Sequence, residues 1–267
     1  MVSAVFRFHD ELNGFLAPAR RGRTFRVPCA CRATTKHMIE ALGVPHTEVE
    51  RILVNGETAV LTHVLQDGDR VAVHPHAGAA RVGCGVPGQG APPAGGPRFI
   101  ADAHLGGLAR MLHMLGFDTL YDNHFRDDAI VATARCDHRV VLTRDRELLK
   151  RRAAMNGCYV HALQPECQLR EIVGRLGLAG ELRPFTRCLR CNEPLRPVDK
   201  ASVLERLPPR VRVGHDRFSV CDACGRVYWE GSHWQNMRRA LADIVADGGA
   251  IAHGAAVPRD GVREEKR

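Results

Sequence analysis

Four of the ten cysteines fall into two Cys-x-x-Cys pairs, Cys188/Cys191 in CLRC and Cys221/Cys224 in CDAC, with 29 residues between the pairs. No other feature narrows the fold as much. Each pair can close a tight knuckle whose backbone N–H groups face the sulfurs, and Gly225 after the second pair suits such a turn. Four thiolates form a closed tetrahedral set, the signature of structural and not catalytic zinc. A ribbon of this size lacks a core of its own, so metal binding should be coupled to its folding. The N-terminus, MVSAVFRFHDELNGF, alternates and carries charge where a secretory leader would be apolar. Disulfides are then the weaker explanation of the pairs. The other six cysteines show no ligand spacing beyond one Cys-x-Cys and read as small, mostly buried side chains.

At 267 residues the chain is long enough for two domains and a small module. No apolar run reaches the roughly 18 residues a membrane span needs, so a soluble, cytoplasmic protein is expected. The formal charge of +8 favours a polyanionic partner, nucleic acid first, although a solvated basic surface gives the same number. Residues 77–97, AGAARVGCGVPGQGAPPAGGP, are mostly Gly, Ala and Pro and read as an interdomain linker. They contain no Gly-Lys-Ser/Thr and follow no strand in the order a phosphate loop requires.

Residues 1–76 read as a small α+β module. SAVFRF and TFRVPC are expected strands joined through Asn13-Gly14, and TTKHMIEALG is a helix capped by Thr and closed by Gly43. ERILVNGETA carries an Asn55-Gly56 hairpin turn, and DGDRVAVHP a further strand. This order, with LVNG and DGDRVAV, resembles the ubiquitin-like β-grasp domains of the small sulfur-carrier class. That class ends in Gly-Gly, whereas here the last strand runs on through VHPHAG, so docking of a protein partner is the expected role and carrier chemistry is not.

After the linker, strands and helices alternate. RFIA, FDTLY, VVLT and YVHAL are expected strands, and HLGGLARMLHMLG, DDAIVATAR, RELLKRRA and PECQLREIVGRLG expected helices. Alternation of this kind predicts a parallel sheet with helices on both faces over 98–180. Ligands then bind beyond the carboxyl ends of the strands. Asp102 closes the first strand, Asp128 opens the helix after the second, and Asp145 follows the third. Carboxylates gathered on one edge repel unless a cation neutralises them, and hard oxygen donors suit Mg²⁺ or Mn²⁺. Each of the three also precedes or opens a helix, where aspartate is a favoured cap. Asp127 competes with Asp128, one capping while the other projects into the site. Glu147 is a weaker candidate, with arginines near enough to pair with it.

FIADAHLGGLARMLHMLGFDTLYDN, DDAIVATA and RVVLTRDREL resemble the PIN-like nucleases, in the branch known as the C-terminal domain of mutator-class exonucleases. The resemblance covers roughly residues 98–237 and implies a metal-dependent ribonuclease with an appended zinc ribbon. Some bacterial members carry a ubiquitin-like domain in front. It implies Asp102, Asp128 and Asp145 as the catalytic acids, the DxxIxxxA spacing favouring Asp128. A fourth acid, common in PIN domains after the next strand, has only Glu166 as its counterpart.

Arg144, Arg146 and Lys150 surround or follow Asp145, and His104 and Arg110 lie on the first helix of this domain; all are expected to meet RNA phosphates, or else to be ordinary surface charges. In VYWEGSHWQNM, His233 and Trp234 offer phosphate contact and base stacking beside the acids, unless both tryptophans pack the ribbon, over 181–238, onto the nuclease domain. Residues 247–267 read as disordered. Two functions follow: a metal-dependent ribonuclease, with structured RNA such as tRNA a target by analogy, or a non-catalytic RNA-binding adaptor docked to a partner through the β-grasp domain.

Overall fold

A computed structural model of the chain describes residues 2–76, 96–151, 156–232, 234–235 and 238–239. The expected linker therefore falls almost wholly outside the described residues, and the expected C-terminal tail wholly so.

The first module is a five-stranded sheet of β1 (Ser3–Phe8), β2 (Phe25–Pro28), β3 (Val49–Val54), β4 (Glu57–Ala59) and β5 (Arg70–Pro75), ordered β2-β1-β5-β3-β4. β1 and β5 are parallel and the other pairs antiparallel, the β-grasp arrangement. Helix α1 (Thr35–Ala41) starts where the Thr34 hydroxyl accepts the His37 N–H. It packs Met38 and Ile39 against Phe6, Phe8, Ile52 and Val73 of the sheet. Asn55 and Gly56 both have positive φ, 55° and 92°, as a two-residue hairpin turn requires. Asn13-Gly14 makes no such turn. It lies inside a 3-10 helix, Asp10–Phe15, because the Asn13 amide donates to the carbonyls of Phe8 and Asp10 and folds the chain back. That fold buries Leu12, Phe15 and Leu16, which a hairpin would have exposed.

The second module is a parallel sheet, β7-β6-β8-β9, of β6 (Phe99–Ala101), β7 (Thr119–Tyr121), β8 (Val140–Thr143) and β9 (Gly157–Tyr159). Side chains alternate along the strands. Phe99, Ala101 and Leu142 face α2 (Gly106–Met114) and α5 (Pro165–Leu176), while Ile100 and Val141 face α3 (Asp127–Cys136) and α4 (Arg146–Lys150). The fourth strand starts earlier than YVHAL suggests and stops at Tyr159, since the N–H groups of His161 and Ala162 turn away to the Glu171 carboxylate.

The third module is a three-stranded antiparallel sheet of β10 (Leu195–Val198), β11 (Phe218–Cys221) and β12 (Val227–Trp229), accompanied by α6 (Lys200–Val203) and α7 (Pro209–Gly214). Among the described residues no helix is long and apolar enough to cross a membrane.

The first module does not hang free. Phe15 packs edge-on to the rings of Tyr159 and His161. The Glu48 side chain, fully buried, accepts the Tyr159 N–H at 2.8 Å and the Arg175 guanidinium at 2.6 Å. A carboxylate thus closes the outer edge of β9, where an open N–H would invite another strand. Arg175 also reaches Glu11 and Glu171; burial opposes its charge, and Cys158 together with the three acids outweighs it.

Candidate active site and metal centre

Asp102 and Asp145 lie on the carboxyl edge of the parallel sheet because β6 and β8 are neighbours in register, Ala101 opposite Leu142. The fully buried Thr143, last residue of β8, joins them. Its hydroxyl donates to Asp102 Oδ2 at 2.7 Å and accepts the Asp145 N–H at 2.9 Å. The second oxygen of Asp102 accepts the Ala103 N–H at 2.6 Å, and Asp145 Oδ1 accepts the Glu147 N–H at 2.8 Å. Both aspartates therefore cap helical turns, and capping leaves them pinned on one edge with acceptor capacity to spare.

Asp128 is placed differently. It is exposed in the first turn of α3 and pairs with Arg126 at 3.3 Å. Its own backbone N–H, and then the Arg126 charge, hold its carboxyl below the usual carboxylate range. Asp127 pairs with Arg151 at 2.7 Å. Glu147 pairs with Lys150 at 2.7 Å, and Glu166 is exposed in the first turn of α5. The acids do not close into one cluster: among the described residues, only the four cysteines bring three or more ligand atoms within 4.8 Å of one another. Carboxylate and hydroxyl oxygens at Asp102, Thr143 and Asp145, free of sulfur and imidazole, are the donor chemistry of a hard divalent ion.

Two of the expected RNA-binding cations are engaged inside the molecule. Arg144 donates to the carbonyls of His161 and Ala162. Arg146 lies over the rings of Phe15 and Tyr159, 5.0 and 5.7 Å from their centroids, and donates to the Phe15 carbonyl at 3.0 Å. Arg110 is exposed on α2, as is His104 just before it.

The cysteines form the second centre. Asn192 N–H to Cys188 carbonyl and Gly225 N–H to Cys221 carbonyl close two matching knuckles, and Asn192 and Gly225 both take positive φ, 64° and 69°. Gly225 is legible from sequence; Asn192, which adopts the same conformation, is the residue that reading missed. None of the described cysteines is in a disulfide. Burial opposes a charge on Cys188, yet the Tyr228 hydroxyl at 3.1 Å and nearby N–H groups draw its thiol down to about 6. Cys191 is pushed up to about 12, first by its hydrogen bond with Cys224. Four thiols packed this closely cannot all ionise without a cation, and together they can hold a structural metal such as zinc.

The ribbon docks on the edge opposite the acids. Asn192 accepts the Thr119 N–H at 3.0 Å and donates to Asp118 at 2.8 Å, at the start of β7. Arg139, just before β8, grips Asp118 at 2.7 Å. Gly116, at φ 90°, lies so close under the Arg183 carbonyl that a side chain there would collide with it. Of the two readings of the tryptophans, the contacts of both are those of packing. Trp229 packs into the ribbon core, and Trp234 rests on Phe185, whose N–H reaches the Met114 carbonyl at the far end of α2. His233 lies outside the described residues.

A model of the Mut7-C RNAse domain matches residues 97–241, and a model of the Mut7-C ubiquitin domain matches residues 1–81. Among solved structures, two crystal structures of small archaeal modifier protein 1 from Haloferax volcanii share 25% identity with the chain. They align over 28% of this chain and 98% and 94% of their own, each with a TM-score of 0.23. No curated protein matches the chain.

Proposed function

This chain belongs to the Mut7-C RNAse domain family, and we propose on that premise that it is a metal-dependent ribonuclease acting at the Asp102–Asp145 edge. The observation that carries the reading is the Thr143 hydroxyl, which donates to the Asp102 carboxylate and accepts the backbone N–H of Asp145, tying the ends of two neighbouring strands together on one edge. Asp102 and Asp145 would hold Mg²⁺ or Mn²⁺, with Asp128 completing the set once it leaves Arg126. The bound ion would activate water and steady the charge developing on a phosphodiester. Arg110 and Lys150 would meet the flanking phosphates, Lys150 by exchanging an exposed partner, Glu147, whose pairing is worth little in water. Arg144 and Arg146 would shape this edge from inside.

A non-catalytic RNA-binding adaptor is the second reading, favoured by the pairing of Asp128 with Arg126 and the absence of a closed acidic cluster among the described residues. Incubating the chain and its Asp145→Asn variant with labelled RNA and Mn²⁺ separates the two. The nuclease reading expects cleavage by the native chain and a loss of roughly a hundredfold or more in the variant. Metal-independent binding with no cleavage by either would establish the adaptor.

A further inference from the structure

From Leu12 to Ile39 the first module contains no Asp or Glu but carries Arg20, Arg21, Arg23, Arg26, Arg32 and Lys36. The structure gathers most of this charge on one border. β2 is an edge strand, Arg20 to Arg23 lead into it, Arg26 sits on its exposed face and Arg32 follows it. Arg21, Arg23, Arg26 and Arg32 are exposed, and among the described residues Arg23 and Arg32 make no ion pair. Arg20 lies over the Phe25 ring at 5.1 Å and among the described residues makes no ion pair. One or two charges suffice to keep an edge strand from pairing with another chain; a one-sign run of this length does more.

The border starts next to the acidic edge. The Phe15 carbonyl accepts Arg146, the residue after Asp145, and the next carbonyl, that of Leu16, accepts Arg21 Nε at 3.0 Å. Two guanidiniums from different modules thus bind the carbonyls of consecutive residues, which brings the first charges of this border next to the residue that follows Asp145. We infer that the β2 border of this module is a phosphate-binding track for single-stranded RNA, extending the substrate path away from Asp145. The inference rests on the ribonuclease reading above.

The test compares the full chain with its Arg20→Gln/Arg21→Gln/Arg23→Gln variant. Binding is measured by fluorescence anisotropy without added Mn²⁺, on single strands of roughly 20 and roughly 5 nucleotides, the shorter able to fill only one site. The track predicts that the variant binds the long strand about tenfold more weakly, with a salt slope lower by about 2 for three lost phosphate contacts. Cleavage of the short strand with Mn²⁺ should be unchanged. Arg23→Gln/Arg32→Gln, which removes only side chains without ion pairs, should show a smaller loss of the same kind and guards against a folding artefact. Unchanged affinity for the long strand overturns the track while leaving the nuclease standing, provided the native chain cleaves RNA. Unchanged RNA affinity with lost binding of polyglutamate would assign the border to an acidic protein instead. A native chain that neither binds nor cleaves RNA sinks the track together with its premise.

Discussion

The two edges of the parallel sheet place aspartates in opposite surroundings. On the amino edge, Asp118 is gripped by Arg139 at 2.7 Å and Asn192 at 2.8 Å, with Arg98 and Arg187 each 3.9 Å away. On the carboxyl edge, Asp102 and Asp145 are held by N–H groups and a hydroxyl, and among the described residues neither is in an ion pair. An acid already neutralised by arginine is a fastener, here clamping the ribbon to the sheet. An acid oriented by neutral donors keeps its charge for something that arrives. The same residue type thus serves structure at one end of the strands and, on the proposed reading, chemistry at the other.

Breaking each edge should give opposite results. Asp118→Ala takes from Arg139, 7% exposed, the nearer of its two carboxylate partners and leaves it only Asp137 at 3.1 Å, and should cost roughly 2 to 3 kcal/mol in urea denaturation. Asp102→Asn should cost less, about 1 kcal/mol. Its carbonyl can still accept the Ala103 N–H, and only the proton of the Thr143 hydroxyl loses its acceptor. Equal losses in the two variants would erase the distinction between the edges.

A smaller effect sharpens the comparison through acid. Burial raises the Asp118 carboxyl, but Arg139 and Asn192 outweigh it and leave it below its ordinary 3.8. A carboxyl depressed on folding contributes stability that is present above 3.8 and lost as pH falls below it. Asp118→Asn should therefore flatten the fall in melting temperature below that pH, and a curve identical to that of the native chain would remove Asp118 as its source.

How much of this was legible from residues alone follows the range of the interactions. Asn55-Gly56 declared its turn because the two residues that tolerate positive φ sit side by side. The two knuckles and the strand-end positions of Asp102 and Asp145 were equally local. Asn13-Gly14 misled because the same dipeptide precedes Phe15 and Leu16, whose burial overrides the turn. The sequence left the tryptophans open between stacking on RNA and packing the ribbon, because which edge receives the ribbon is decided by Asn192 and Asp118, which lie 74 residues apart. Arg146 looked like a free cation until Phe15, 131 residues earlier, claimed it. Glu48 and Arg175, which dock the ubiquitin-like module, carry no local signature at all.

The central claim is that the carboxyl edge keeps its charge for a divalent cation. Electron paramagnetic resonance of Mn²⁺ titrated into the zinc-loaded full chain tests it directly, against the Asp102→Asn/Asp145→Asn variant. Saturable Mn²⁺ binding by the native chain, reduced at least tenfold in the variant, is the predicted result. Equal Mn²⁺ binding by the two proteins would contradict it.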